Sequence, residues 1–127
     1  MEPRQLILIS GKFAVCRLEA EAPHPDWAQG DFVSATRTPE ELTVVCRQQF
    51  VPDGVECEME WRCMRVAGTL DFSMIGVIAP ISATLATADV SIFVISTFGT
   101  DFVFLKNRDL DRATEALGTA GFMVFPG

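Results

Sequence analysis

The order of strand-like and helix-like segments in the second half of the chain constrains the fold most. From residue 61 onward the pattern predicts a strand, a helix, two strands, a second helix and a last strand. The first helix is predicted from apolar positions at helical spacing, which would face a sheet: Met74, Ile78, Ile81, Leu85 and Ala88. Either Asp71 or Ser73 is predicted to cap this helix, because both side chains can accept a hydrogen bond from a first-turn amide. This order predicts a ferredoxin-like α+β fold, an antiparallel sheet with its helices on one face.

The later elements of this pattern have recognisable ends. Strands are predicted at about 91–96 and 101–106, and Asp109 is predicted to cap the second amphipathic helix. Gly121 is predicted to end that helix in the left-handed conformation, since glycine adopts positive φ without steric cost. The following apolar run, from residue 122 to 125, is predicted as the last strand.

A strand–turn–strand segment occurs twice in the sequence, and the two copies begin 61 residues apart. Aligned on their first Phe-Val, the copies match Thr36 with Thr97 and Glu40 with Asp101. A repeat of this kind predicts two small related modules. Glu40 is expected to be a surface turn residue, whereas Asp101 is the acid expected to bind a ligand.

The first half is predicted to be a trimmed copy of the second. Two apolar runs flank Ser10-Gly11-Lys12, which is typical of a tight hairpin. A polar stretch containing Pro52-Asp53-Gly54 predicts a linker between the halves. Because the first half lacks a long helical pattern, we expect a degenerate module at 1–55 and a complete one at 56–127.

Composition and charge exclude several classes of function. The chain has 127 residues, a net charge of −7 and ten scattered basic residues, which argues against nucleic-acid binding. No apolar stretch is long enough to span a bilayer and no signal peptide is recognisable, so we expect a cytoplasmic protein. The four cysteines lack C-x-x-C spacing and are expected to be reduced. One histidine and no nucleotide-binding or nucleophile motif predict no catalytic residue, metal or cofactor.

Five segments of the second half carry a resemblance to a known family. They are Trp61-Arg62-Cys63-Met64-Arg65-Val66-Ala67-Gly68, Leu70-Asp71-Phe72-Ser73-Met74-Ile75-Gly76-Val77-Ile78-Ala79, Ser91-Ile92-Phe93-Val94-Ile95-Ser96-Thr97-Phe98, Thr100-Asp101-Phe102 and Asp109-Leu110-Asp111-Arg112-Ala113. These residues resemble an ACT domain, a small ligand-binding module of amino-acid-regulated proteins. The whole chain resembles short bacterial tandem-ACT proteins, which are similar to the ACT domains of aspartate kinase and of the animal cytosolic arginine sensor.

The resemblance implies an amino acid bound where two ACT domains meet. The helix-start residues that it assigns to the site are Asp71, Phe72, Ser73, Met74, Ile75 and Gly76. The strand-end residues that it assigns are Ser96, Thr97, Thr100 and Asp101. A helix start suits a ligand carboxylate, and the Asp101 carboxylate suits a ligand ammonium group. An ordinary acidic hairpin turn is the alternative interpretation of Asp101.

Pro80 leaves two alternatives for the start of the first helix. A proline cannot donate to the carbonyl four residues earlier, so a kinked first turn would leave the Gly76 carbonyl available to a ligand. Alternatively, the helix starts later and Pro80 lies within its first turn.

These observations predict a non-catalytic regulatory or sensor module that binds an amino acid. The expected partners are the amino acid, a second copy in a homodimer, and a regulated enzyme or regulator, with neither nucleic acid nor membrane. The alternative is a structural dimerisation module without a small ligand, whose exposed strand edges would pair with another chain.

Overall fold

The computed structural model of the chain describes residues 4–68 and 76–127. In chain order its strands and α-helices are β1 (Gln5–Leu18), β2 (Val33–Arg37), β3 (Leu42–Arg47), β4 (Cys57–Val66), α1 (Ile78–Thr87), β5 (Ile92–Ser96), β6 (Asp101–Lys106), α2 (Leu110–Thr119) and β7 (Met123–Pro126). A 3-10 turn follows β3 at Gln48–Phe50 and another follows β6 at Asn107–Asp109. The α+β class and the strands predicted near 91–96 and 101–106 are confirmed.

The chain forms two compact units. The helical unit combines the chain up to Ser10 with Arg62–Gly127, and the strand unit is Gly11–Trp61. In the helical unit the neighbouring strands run in the order β7–β1–β4–β6–β5. The β5–β6 hairpin is antiparallel, but β1 runs parallel to β7, with Gln5 opposite Met123. The predicted antiparallel sheet therefore gains a parallel pair, because the start of the chain adds a strand beside β7.

Both helices of the helical unit pack on the same side of its strands. Alternate residues of β4 and β6 are buried in one apolar cluster with the inward residues of α1 and α2: Met64, Val66, Val103, Leu105, Ile81, Leu85, Ala113 and Leu117. Since side chains two residues apart on a strand share a face, this cluster lies on one face of the sheet. The prediction of helices on one face is confirmed.

The start of α1 lies later than predicted. The helix begins at Ile78 with Val77 as its N-cap and without a side-chain capping bond. The prediction that Asp71 or Ser73 caps this helix is therefore wrong, and both residues lie outside the described part of the chain. Pro80 is the third helical residue, where a missing amide removes no intrahelical bond. Of the two alternatives for Pro80, the structure has the later helix start, with Pro80 within the first turn.

Both helices end in the same hydrogen-bond motif. In α2, the amide of Phe122 donates to Leu117 at 2.9 Å and that of Gly121 donates to Gly118 at 3.1 Å. Gly121 has φ of 94°, so its predicted left-handed cap is confirmed. The same position after α1 is occupied by Asp89, at φ of 61°.

The N-cap of α2 is at the predicted residue but makes a different bond. Asp109 occupies the N-cap position without a side-chain bond to a helix amide. Its carboxylate instead accepts a hydrogen bond from the Arg112 guanidinium at 2.9 Å. Arg112 also donates to the carbonyls of Ala88 and Asp89, at 2.9 and 3.1 Å, and so joins the end of α1 to the start of α2.

The strand unit contains no α-helix, and all of its residues are described. Its strands run in the order β2–β3–β1–β4, with β2–β3 and β3–β1 antiparallel. The hairpin predicted at Ser10-Gly11-Lys12 is wrong, since β1 continues unbroken through these residues. Gly11 has φ of 87°, and glycine allows this local distortion without ending the strand.

Candidate functional site

The polar residues predicted at the strand ends lie around the turn between β5 and β6. The Thr97 amide donates to the Thr100 carbonyl at 2.9 Å, which closes a four-residue turn. The Thr97 hydroxyl donates to the same carbonyl at 3.2 Å and accepts from the Thr100 amide at 3.3 Å. Phe98 lies at the tip, and the residue is 86% exposed. These bonds fix the shape of the turn and use Thr97 for that purpose.

Ser96 and Asp101 form the first cross-strand pair beneath this turn. The two residues lie opposite each other in the β5–β6 register. The Ser96 hydroxyl donates to one Asp101 carboxylate oxygen at 2.6 Å. A carboxylate can accept about four hydrogen bonds, so this bond orients the group and leaves it able to accept from a ligand. Asp101 is half-buried, which reduces competition from water for such a bond.

Thr100 anchors the turn to the neighbouring strand. Only 8% of the residue is exposed, and its hydroxyl donates to the Val66 carbonyl at 2.8 Å. Val66 is the last residue of β4, and the chain continues from it toward the helix-start residues. The hydroxyl proton of Thr100 is therefore committed to the protein backbone, which indicates a structural role for this residue.

The structure brings together only part of the predicted site. Ser96, Thr97, Thr100 and Asp101 share the β5–β6 turn, and Gly76 is exposed just before α1, with φ of 72°. The other predicted helix-start residues lie outside the described part of the chain: Asp71, Phe72, Ser73, Met74 and Ile75.

The turn between β2 and β3 has the same hydrogen bonds as the β5–β6 turn. The Thr38 amide donates to the Glu41 carbonyl at 2.9 Å, and the Thr38 hydroxyl accepts from the Glu41 amide at 3.3 Å. Thr38 is thus the structural counterpart of Thr97, and the alignment that paired Thr97 with Thr36 is wrong by two residues. The corrected spacing of 59 residues also relates the two 3-10 turns that follow the hairpins.

The corrected alignment changes the counterpart of Asp101. At the first position of β3 the structure has Leu42, only 3% exposed, where β6 has Asp101. Glu40 is an exposed turn residue, as predicted, and accordingly is not equivalent to Asp101. The acid beneath the turn therefore occurs in the second hairpin and is replaced by a buried leucine in the first.

Comparison with known proteins supports the predicted family. The family model described as ACT domain matches residues 56–119. A second family model, which describes the N-terminal domain of another family, matches residues 11–54. No curated protein is significantly similar to the chain.

Solved structures with the same fold cover nearly the whole chain. A protein from Agrobacterium tumefaciens is 32% identical, with a TM-score of 0.91, and the match covers 97% of this chain and 92% of that one. A Vibrio cholerae protein of unknown function, described as a possible transport protein, is 22% identical with a TM-score of 0.75, covering 91% and 88%. The ligand-free regulatory subunit of aspartate kinase from Thermus thermophilus is 11% identical with a TM-score of 0.62, covering 90% and 94%.

The described helices are short. In residues 4–68 and 76–127 none is long and apolar enough to cross a membrane.

Proposed function

Because the chain belongs to the ACT domain family, we propose that it is a non-catalytic regulatory module whose ligand is an amino acid. The observation that carries the proposal is the oriented Asp101 carboxylate beneath the β5–β6 turn, within the segment that matches the family. The similarity of fold to an aspartate kinase regulatory subunit supports a regulatory role. The ligand would bind where two ACT domains meet and would favour one arrangement through its higher affinity for it.

In this proposal each part of the turn has a separate task. Asp101 accepts a charge-assisted hydrogen bond from the ligand ammonium group, and Ser96 holds that carboxylate in position. Thr97 keeps the turn closed, and Thr100 ties it to the end of β4. The assignment of residues 71–76 to the ligand carboxylate remains a prediction from the resemblance, since α1 begins after them, at Ile78.

A thermal-unfolding screen of the twenty amino acids tests the proposal. A ligand at about 100 times its Kd stabilises the protein by roughly 2.7 kcal/mol. With an unfolding entropy of about 2.1 cal/mol/K per residue, this corresponds to a rise in Tm of roughly 10 °C for this chain. The absence of a shift for every amino acid at millimolar concentration would refute the sensor function.

A pair of variants then tests the site itself. Asp101→Ala should remove most of the ligand-induced shift, whereas Asp53→Ala, which changes an exposed turn acid in the strand unit, should leave it intact. If the shift survived in Asp101→Ala, the ligand would bind elsewhere, although the regulatory function would stand.

The alternative function is a dimerisation module without a small ligand. One observation favours it: β7 exposes two large apolar side chains, Met123 at 53% and Phe125 at 40%. An edge strand with such side chains can pair with a second copy. Light scattering that gives a dimer, together with a silent amino-acid screen, would favour this function. The two ACT-like modules expected at 1–55 and 56–127 remain a prediction, which the matching hairpins support.

A further inference from the structure

Two cysteines of the strand unit lie side by side on neighbouring strands. The Arg17 amide of β1 donates to the Glu56 carbonyl, just before β4, at 2.9 Å. Cys16 and Cys57 are each one residue from this bonded pair, and a hydrogen bond joins their side chains. Both belong to the same apolar cluster, in which Cys16 is fully buried and Cys57 is partly buried. Both are free thiols.

The strand register shows why Cys57, and not Cys46, is the partner of Cys16. In the β1–β3 pair Cys16 lies opposite Val44, whereas Cys46 lies opposite Ala14. Cys46 is therefore a diagonal neighbour of Cys16, at about 7–8 Å between Cα atoms, whereas directly facing residues have Cβ atoms about 4.5–5.5 Å apart. A disulfide needs Cβ atoms about 3.5–4.5 Å apart. Only a small local movement would bring Cys16 and Cys57 to that distance.

The two thiols differ in their exposure to solvent. Both cysteines line one cavity of about 290 Å³, together with Arg17, Thr43 and Glu58. Cys57 is partly exposed there, whereas Cys16 is only 1% exposed. Burial, followed by the nearby Cys57 and Cys46, raises the pKa of the Cys16 thiol to about 12. Cys16 therefore stays protonated at neutral pH. Cys57 is the more exposed of the two thiols and is the one that a small reagent in solution reaches first.

We propose that Cys57 is a site of reversible oxidation by hydroperoxides and that Cys16 resolves the oxidised form as a disulfide. In the first step the Cys57 thiol loses its proton to solvent, and the thiolate attacks one peroxide oxygen. The O–O bond breaks to give a sulfenic acid, and the leaving oxygen takes up a proton and departs as water, or as an alcohol if the hydroperoxide is organic. In the second step the Cys16 sulfur attacks the sulfenic sulfur, and the Cys16 proton leaves with the hydroxyl group as water. Two thiols are thus oxidised while one hydroperoxide is reduced.

The disulfide would add a covalent link within the strand unit and leave its strands in place. The new bond would close a loop of about 40 residues, which contains β2 and β3, and would tie β1 to β4. Constraining the unfolded chain in this way should raise Tm by roughly 15 °C. A thiol reductant should reverse the change, because the same two thiols are regenerated.

Hydrogen peroxide on the full-length, reduced protein tests the proposal. After a small molar excess of peroxide and its removal by catalase, the free thiols measured in denaturant should fall from the four in the sequence to two. Peptide mapping without reduction should find a cross-link between Cys16 and Cys57, and dithiothreitol should restore all four thiols. No loss of thiols, or a cross-link that joins other cysteines, would overturn the proposal.

Variants separate the two steps. Cys57→Ser removes a half-buried thiol and should keep its three remaining thiols under peroxide. Cys16→Ala should leave a sulfenic acid at Cys57, which dimedone traps as a stable adduct. Cys46→Ala is the matched control and should still lose two thiols. Peroxide-dependent loss of thiols in Cys57→Ser would refute the role of Cys57, and the peptide map of the unsubstituted protein decides the case if a buried variant fails to fold.

Discussion

Replacing Thr100 with valine tests whether this residue anchors the turn or binds a ligand. Valine has nearly the shape of threonine, so the change removes the hydroxyl and leaves the packing intact. The hydroxyl is buried and donates to the Val66 carbonyl at 2.8 Å. Removing a donor from a buried acceptor costs about 1–3 kcal/mol. With an unfolding entropy of about 2.1 cal/mol/K per residue, the chain should lose roughly 4–11 °C in Tm.

The assay is urea unfolding and calorimetry of Thr100→Val beside two controls. Thr100→Ser keeps the hydroxyl and should recover most of the lost stability. Thr97→Val removes an exposed hydroxyl of the same turn and should cost less than about 1 kcal/mol, since both of its hydroxyl bonds are long. A Thr100→Val protein within about 0.5 kcal/mol of the unsubstituted chain would contradict the anchoring role.

The ligand-induced rise in Tm is a second measurement that can be made on Thr100→Val. If an amino acid raises Tm, Thr100→Val should start from a lower Tm yet keep most of the ligand-induced increment, because its hydroxyl proton is already bound by Val66. Asp101→Ala should lose the increment instead. A Thr100→Val protein of normal stability that no longer binds would place Thr100 among the ligand contacts, contrary to the structural argument.

Three further predictions concern other parts of the fold. Asp89 and Gly121 both have positive φ, which glycine adopts without the steric cost of a Cβ atom. Asp89→Gly should therefore raise the free energy of unfolding by about 1 kcal/mol, and Gly121→Ala should lower it by about as much; calorimetry of both variants checks this. Arg112→Met should lower stability by about 1 kcal/mol in urea unfolding, since the exposed guanidinium satisfies carbonyls at the end of α1. Because the folded pKa of Cys16 is raised from 9.0 to about 12, the free energy of unfolding should fall as pH rises between these values. The difference in thiolate absorbance near 240 nm between the unsubstituted protein and Cys16→Ala follows the Cys16 titration, and the chain has no tyrosine to contribute.

The helical unit was largely predictable because its elements have unambiguous periods. The apolar positions of α2, Leu110, Ala113 and Leu117, recur at helical spacing and are buried or half-buried in one cluster. Gly121 marks the helix end through its freedom to adopt positive φ. The start of α1 was not predictable in the same way, since Met74 continues the helical spacing although the helix begins at Ile78. Periodicity identifies the buried face of a helix, while local backbone geometry sets its first residue.

The course of β1 also lies beyond what local patterns can predict. Ser10-Gly11-Lys12 has the composition of a turn, yet β1 continues through it and pairs with β3 on one side of that point and β7 on the other. These partners come from distant parts of the chain and satisfy the backbone groups that a hairpin would otherwise have paired. Tertiary pairing therefore overrides the local preference of glycine for a turn.

The two-residue error in the repeat has a physical cause and a functional consequence. Side chains on a strand alternate with a period of two, so sliding one copy by two residues keeps every apolar residue on its own face. The apolar pattern therefore fits both alignments equally well. The hydrogen bonds of the turn distinguish them, because Thr38 and Thr97 make the same bonds to the residue three positions later. In the corrected register Asp101 is matched by buried Leu42, which has no group to bind an ammonium ion. Each chain therefore carries this acid in one hairpin, and the proposed ligand site is single where the sequence repeat alone would suggest a symmetric pair.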